Sequence, residues 1–336
     1  MLSPLQDSKS PITGAAPFLP IMAILKAYLL ALRPHQWTKN LLVFAASLFA
    51  FQLDSNALSA SSLAFLLFCM VSSSFYLLND IKDIESDRQH PVKRDRPIAA
   101  GKVGVPSALC LAICLLVAGL SVSWAHAPTL GLVLTGYALL QIAYNLKLKH
   151  LPLLDIACIA SGFVLRACAG FAATGLSISL WFLLCVAMLA LFLAIEKRKA
   201  ELRRSRKSGK ASTRAVLSFY SLPLLNRLES TVATGAVMSY ALWSSEPQLM
   251  GGTTPWMMAT LPFVMYGVFR YQLLSDIPEE ANLSMETVPG ALSQVKDEQT
   301  ERPETVLLLD QQIRYTVVGW LATCMLTLWL NSQGII

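Results

Sequence analysis

Apolar stretches of bilayer length recur along the whole chain, and that recurrence limits the fold more than any single motif. Runs lie near 40–53 (short, and extended by Trp37), 62–79, 103–125, 128–146, 153–173, 177–195, 230–245, 254–272 and 315–332. A helix needs about 20 apolar residues to cross the hydrocarbon core, where backbone groups must hydrogen-bond within the segment. The reading is therefore all-α: a polytopic membrane protein of about nine transmembrane helices. Hydrophobic residues at 54%, charged residues at 14% and a mean hydropathy of +0.53 exclude an ordinary water-soluble domain.

Charge placement orients the bundle in the lipid bilayer. The polar loops at 80–102, 147–152, 196–229 and 270–314, together with the amino-terminal segment up to the start of the first span, hold every Lys and Arg except Arg166. The positive-inside rule puts these loops on the cytoplasmic face. The net charge of +6 thus reports topology, not nucleic-acid binding. Residues 1–20 read as a loosely attached arm without a cleavable signal peptide, 21–33 as an interfacial helix, and 34–336 as one transmembrane domain. The seven cysteines all fall within apolar runs without metal-ligand spacing and read as small packing residues.

The stretch from Asn79 to Gly101, NDIKDIESDRQHPVKRDRPIAAG, ends an apolar run with carboxylates and follows them with bases. If the helix continues through them, Asp80, Asp83 and Asp87 at i, i+3 and i+7 share one face. Hard cations such as Mg2+ bind one or two carboxylates plus substrate phosphates, and Lys93, Arg94 and Arg96 follow to hold such phosphates. By spacing alone, an acidic face followed by a positive-inside loop is an equal reading.

Other charged groups gather at the same membrane face. Trp37 suits a headgroup-level anchor, and Lys39 sits at the mouth of the first span, either snorkelling or binding anions. Tyr144 precedes the short basic loop with Lys147 and Lys149. Arg166 is the single base inside a span, where an ionisable group normally faces a cavity or a partner. It lies on roughly the same face as Asp155, three helical turns away, and a purely structural ion pair that holds helices together is the alternative. Glu196, Lys197, Arg198 and Glu201 interleave both signs where the sixth span ends, a pattern suited to binding phosphate and orienting bases.

These residues carry a family resemblance. NDIKDIESD resembles the N-D-x-x-D-x-x-x-D motif of the UbiA superfamily of intramembrane prenyltransferases. RPHQWTKN, DRQHPVKRDRPIAAG, LKH at 148–150, VLRACAG and KRKAEL at 197–202 are similar to the branch typified by decaprenyl-phosphate phosphoribosyltransferase. The resemblance implies a UbiA-like bundle with a cytoplasmic-side cavity. It implies Mg2+ on Asp80, Asp83 and Asp87, 5-phosphoribosyl 1-diphosphate as donor and a polyprenyl phosphate as acceptor. Asp80, Asp83, Asp87, Lys149 and Arg166 then serve the chemistry. Lys39, Asn79, Lys93, Arg94, Arg96, Tyr144, Lys147, Lys197, Arg198 and Glu201 bind the substrates. A homo-oligomer is compatible with all of this.

The chain departs from aromatic prenyltransferases of the superfamily, which carry a second Asp-rich motif after the fourth span. Here that position reads YNLKLKHLPLLD. Lysines in place of carboxylates favour a lipid phosphate over a second metal-bound diphosphate. Two departures from the phosphoribosyl branch also stand out: Glu196 replaces a small residue, and the acidic loop at 276–310 is long. An aromatic prenyltransferase and a lipid transporter are the competing functional classes.

Overall fold

The computed structural model describes residues 21–51, 54–90, 92–208, 215–246, 254–276, 306 and 309–335. The arm at 1–20 and most of the 276–310 segment lie outside them. All regular elements among the described residues are helical. They are α1 (Ile21–Ala31), α2 (Ala45–Phe49), α3 (Ser55–Lys82), α4 (Ile84–Gln89), α5 (Val105–His126) and α6 (Pro128–Leu146). α7 (Leu154–Thr174), α8 (Leu180–Ser208), α9 (Leu222–Ser244), α10 (Leu261–Ser275) and α11 (Gln311–Ser332) complete the bundle. Proline in the first turn starts α5, α6, α9 and α10, where its missing N–H costs nothing.

Among the described residues, six helices are long and apolar enough to cross a membrane: α3, α5, α6, α7, α8 and α11. The expectation of nine spans is thus not met by nine such helices. The first apolar run forms a 3-10 segment, Pro34–Phe44, followed by the five-residue α2. It packs against α3 and α7, and Asn40 and Val43 are buried. Irregular backbone at membrane depth is tolerated where protein covers it. The seventh run lies in α9, whose first half carries Asn226, Arg227 and Glu229. The eighth is split between a 3-10 turn at Pro255–Thr260 and the 15-residue α10.

α7 is the centre of the bundle, touching α2, α3, α6, α8 and the Pro34–Phe44 segment. Lipid chains are as apolar as leucine, so close packing, not water exclusion, holds such helices together. Small residues supply the fit: Gly162, Ala167, Ala169 and Gly170 are buried on α7. At Gly170 a side chain would collide with the Val43 carbonyl. Large apolar residues such as Leu66, Ile113, Val117, Leu132 and Leu139 point outward, toward the space lipid fills.

α1 buries only Ala27 and Ala31, against a cluster with Leu77, Ile98 and Val103. Its outer face of Met22, Leu25, Leu29 and Leu30 is exposed.

Candidate functional site

α3 carries Asn79 and Asp80 and ends at Lys82. Asp83 breaks the helix (φ −96°, ψ 10°) and α4 restarts it. The break re-aims the acidic residues. Asp80 and Asp87 are buried, whereas Asp83 is exposed. The expectation that all three carboxylates converge is therefore corrected: two do. Arg96 lies between them, its Nη1 donating to Asp80 Oδ1 at 3.1 Å and to Asp87 Oδ2 at 2.6 Å. Arg33 adds a second guanidinium on Asp80 and lies 5.3 Å from the centroid of the Tyr76 ring. Lys93 and Arg94 are exposed on the short turn that follows.

Arg33 was missed by sequence reasoning. It has φ 55° and ψ 60°, a left-handed conformation uncommon outside glycine. Its signal in the chain is the following Pro34, which disfavours a right-handed helical backbone at the residue before it.

Among the described residues, no group of three His, Cys, Asp or Glu side chains is arranged to hold a metal ion. The donor chemistry still suits a hard divalent cation. Two buried carboxylates face one cationic centre, Arg96, and such a cation takes one or two carboxylates with phosphate oxygens completing its shell.

A cavity of about 570 Å³ opens between the 3-10 segment, α6, α7 and α8. Lys39, Tyr144 and Lys197 line it, with Thr38, Gln141 and Phe163. Lys39 Nζ donates to Gln36 Oε1 at 2.6 Å. Lys149 is half-buried and Lys147 exposed on the loop that follows α6. A second, almost wholly apolar chamber of about 340 Å³ adjoins the first, sharing Leu42 and Leu193. Phe49, Phe182, Tyr240, Trp243 and Trp320 form its aromatic wall.

The hydrogen-bond partners of Arg166 are neutral groups, not a carboxylate, which corrects the ion-pair alternative. Arg166 Nε donates to Asn40 Oδ1 at 2.8 Å, Nη1 to the Gly162 carbonyl at 2.8 Å and Nη2 to Tyr137 Oη at 3.3 Å. The rings of Phe68, Tyr137 and Phe163 surround its guanidinium. Asp155, fully buried, accepts from Arg198 Nε at 2.7 Å and from Tyr220 Oη at 2.7 Å. Arg198 Nη1 also donates to Glu201 at 2.6 Å, and its Nη2 is buried without a partner.

The charges at the end of α8 thus separate by helical rotation. Lys197 lines the cavity, Arg198 turns to α7, and Lys199 turns to α9 and α10. Lys199 is fully buried among Glu196 (3.0 Å), Glu229 and Asp276 (3.2 Å). Burial alone would raise the Asp276 carboxyl, but hydrogen bonding from Arg203 and the charge of Lys199 hold it below its ordinary value. Arg270 and Asp310 tie α10 to the start of α11 through an ion pair of 2.8 Å.

The helical bundle of the described residues, with a basic cavity beside an apolar chamber, is that of an integral, multi-pass membrane protein. The chain belongs to the UbiA prenyltransferase family, whose model matches residues 19–285. It is 36% identical over 299 residues to decaprenyl-phosphate phosphoribosyltransferase of Mycobacterium tuberculosis, covering 87% of this chain and 91% of that one. Against the Corynebacterium glutamicum protein of the same name it is 40% identical, covering 76% and 80%. A solved UbiA homolog from Archaeoglobus fulgidus, bound to DMAPP and Mg2+, superposes with a TM-score of 0.63. That match covers 90% of this chain and 99% of the homolog at 18% identity, a likeness of fold.

Proposed function

We propose that this protein transfers 5-phosphoribose from 5-phosphoribosyl 1-diphosphate to a polyprenyl phosphate, giving polyprenylphosphoryl 5-phosphoribose and diphosphate at the cytoplasmic face. The observation that carries this reading is the similarity, over most of both chains, to relatives named decaprenyl-phosphate phosphoribosyltransferase. The geometry supports it with two anion-attracting regions of different character.

The donor end is assigned to Asp80, Asp87, Arg96 and Arg33. Asp80 and Asp87, with Asn79 beside them and exposed Asp83 at the rim, would hold Mg2+; the bound ion would stabilise charge on the departing diphosphate. Arg33 and Arg96 can exchange carboxylate for phosphate, a partner that guanidinium groups bind equally well. Lys93 and Arg94 extend the basic surface.

The acceptor end is assigned to the cavity. Lys39, Tyr144 and Lys197 take the lipid phosphate, Lys147 and Lys149 flank it, and the apolar chamber takes the first part of the prenyl chain. A phosphate oxygen attacks C1 of the ribose as the bond from C1 to the diphosphate oxygen breaks, inverting C1. The acceptor is already ionised near neutral pH, so no strong general base is required. Bringing two polyanions together is the main task, and positioned cations perform it. Arg166, held by Asn40 and Tyr137, orients the 3-10 segment that carries Lys39.

Purified protein in detergent, given both substrates and Mg2+, is expected to form a lipid product whose mass equals the polyprenyl phosphate plus phosphoribose. Product formation from a prenyl diphosphate and an aromatic acid instead, with none from the phosphoribosyl donor, would make the protein an aromatic prenyltransferase. Transfer of lipid across sealed vesicles without any new product would make it a transporter.

A further inference from the structure

Leu153, the residue before α7, has φ 65° and ψ −39°. This region is strained for a residue with a branched side chain, and such strain persists only where the surroundings over-determine it. The Leu153 side chain does not do so, being 54% exposed. Its backbone N–H does: it donates to Tyr220 Oη at 2.6 Å, across 67 positions of sequence.

Tyr220 is well placed to act as an anchor. It follows the 3-10 turn Ala215–Phe219, is buried, and packs among Ile156, Ile195, Val216 and Leu225. Burial, and the Asp155 carboxylate that accepts its proton, push the phenol up from its ordinary value, so the hydroxyl stays a donor at neutral pH. One hydroxyl therefore closes a chain. It accepts from Leu153 N–H and donates to Asp155 Oδ1, while Asp155 Oδ2 accepts from Arg198 Nε. Arg198 directly follows Lys197, which lines the cavity. Leu153 closes the loop of Lys147 and Lys149.

We infer that Tyr220 is a positioning residue, one that locks the strained turn at Leu153 and thereby holds the loop of Lys147 and Lys149 in register with Lys197 for the acceptor phosphate. The role of the lysines rests on the functional reading above; the lock itself does not. Loss of the hydroxyl leaves the strained turn without its long-range restraint, the Leu153 carbonyl still accepting from Ala157 N–H at 2.9 Å. The loop then relaxes away from the cavity, while the donor end on α3 is untouched.

The test uses the full chain in detergent. In Tyr220→Phe, loss of the two hydrogen bonds of the hydroxyl, from Leu153 N–H and to Asp155, is expected to raise KM for polyprenyl phosphate about five- to tenfold, with kcat and the donor KM within about twofold. Glycine adopts positive φ with little strain. Leu153→Gly added to Tyr220→Phe is therefore expected to return the acceptor KM to within about twofold of wild type. A purely packing role predicts the reverse, further damage from the glycine. An unchanged acceptor KM in Tyr220→Phe, or no rescue by Leu153→Gly, overturns the inference. Hydrogen exchange resolved to single amides reads the lock in the wild-type protein without any variant. The Leu153 amide is expected to exchange at least about a hundredfold more slowly than a free loop amide, and fast exchange there overturns the lock even if Tyr220→Phe fails to fold. If the wild-type protein forms no phosphoribosyl lipid, the functional reading fails and the exchange measurement still decides the lock.

Discussion

Two clusters of carboxylates and bases sit near the polar ends of the helices, and they differ in how their cations meet solvent. Around Asp80 and Asp87 the acids are buried while the Arg33 and Arg96 side chains are 22% and 28% exposed. Around Lys199 the base itself is sealed, at 0% exposure, between Glu196 and Glu229. A partly exposed guanidinium can trade a carboxylate for an incoming phosphate at modest cost. A sealed ammonium cannot move without leaving two buried carboxylates uncompensated. The Asp–Arg cluster thus suits the exchangeable anion site proposed for it, whereas the Glu–Lys cluster is a clamp joining α8, α9 and α10.

The largest expected effect breaks that contrast at the first cluster. Asp87→Asn should lower turnover at least about a hundredfold while the thermal transition moves little, and chelation of Mg2+ should do the same reversibly. Retention of more than about a tenth of the wild-type rate, in either experiment, removes the metal assignment. At the second cluster the order reverses. Lys199→Met should cost about 3–5 kcal/mol of stability, read as a lower unfolding midpoint. Adding Glu196→Gln and Glu229→Gln should recover most of the loss, because the uncompensated charges go with it. A stable, inactive Lys199→Met would instead assign that cluster to chemistry.

A finer comparison separates neighbours on one helix. Lys197→Ala should raise KM for the lipid phosphate about tenfold, the loss of one charge-assisted contact, with the unfolding midpoint unchanged. Equal effects of Lys197→Ala and Lys199→Met on stability would erase the distinction between the cavity face and the clamp face.

The smallest effect concerns pH and the pair joining α10 to α11. Burial alone would raise the Asp310 carboxyl, but Arg270 and the Ile313 N–H, which its side chain caps at 2.8 Å, hold it below its ordinary value. A depressed folded-state pKa contributes stability above the unfolded value of about 3.9, and that contribution is lost as pH falls through the folded value. Acid unfolding monitored by helicity should therefore begin at higher pH in wild type than the same curve corrected for the lower starting stability of Asp310→Asn. Parallel acid curves for the two proteins would show that this pair does not set the acid limb.

Much of this architecture was legible in the chain. Apolar runs located the six helices that, among the described residues, are long enough to cross a membrane, because bilayer thickness sets a length that composition can satisfy. They did not foretell the first and eighth runs, which form 3-10 segments and short helices. The small residues around Arg166 marked α7 as a contact helix. The family motif was equally legible at NDIKDIESD. Its geometry was not: the face shared by Asp80, Asp83 and Asp87 assumed a continuous helix, and the break at Asp83 turned one carboxylate outward. The contacts of Arg33 and Tyr220 were not legible because each meets its partner across 47 or 67 residues.

What the sequence determined by itself is therefore local and periodic: where helices form, and which residue types lie near one another along a helix. Tertiary structure decided the partners. Lys197, Arg198 and Lys199 are consecutive and alike in charge, yet about 100° of helical rotation per residue sends one into the cavity, one to Asp155 and one between two glutamates. Which of them can meet a phosphate depends on what each direction faces, and that is set by helices distant in the chain.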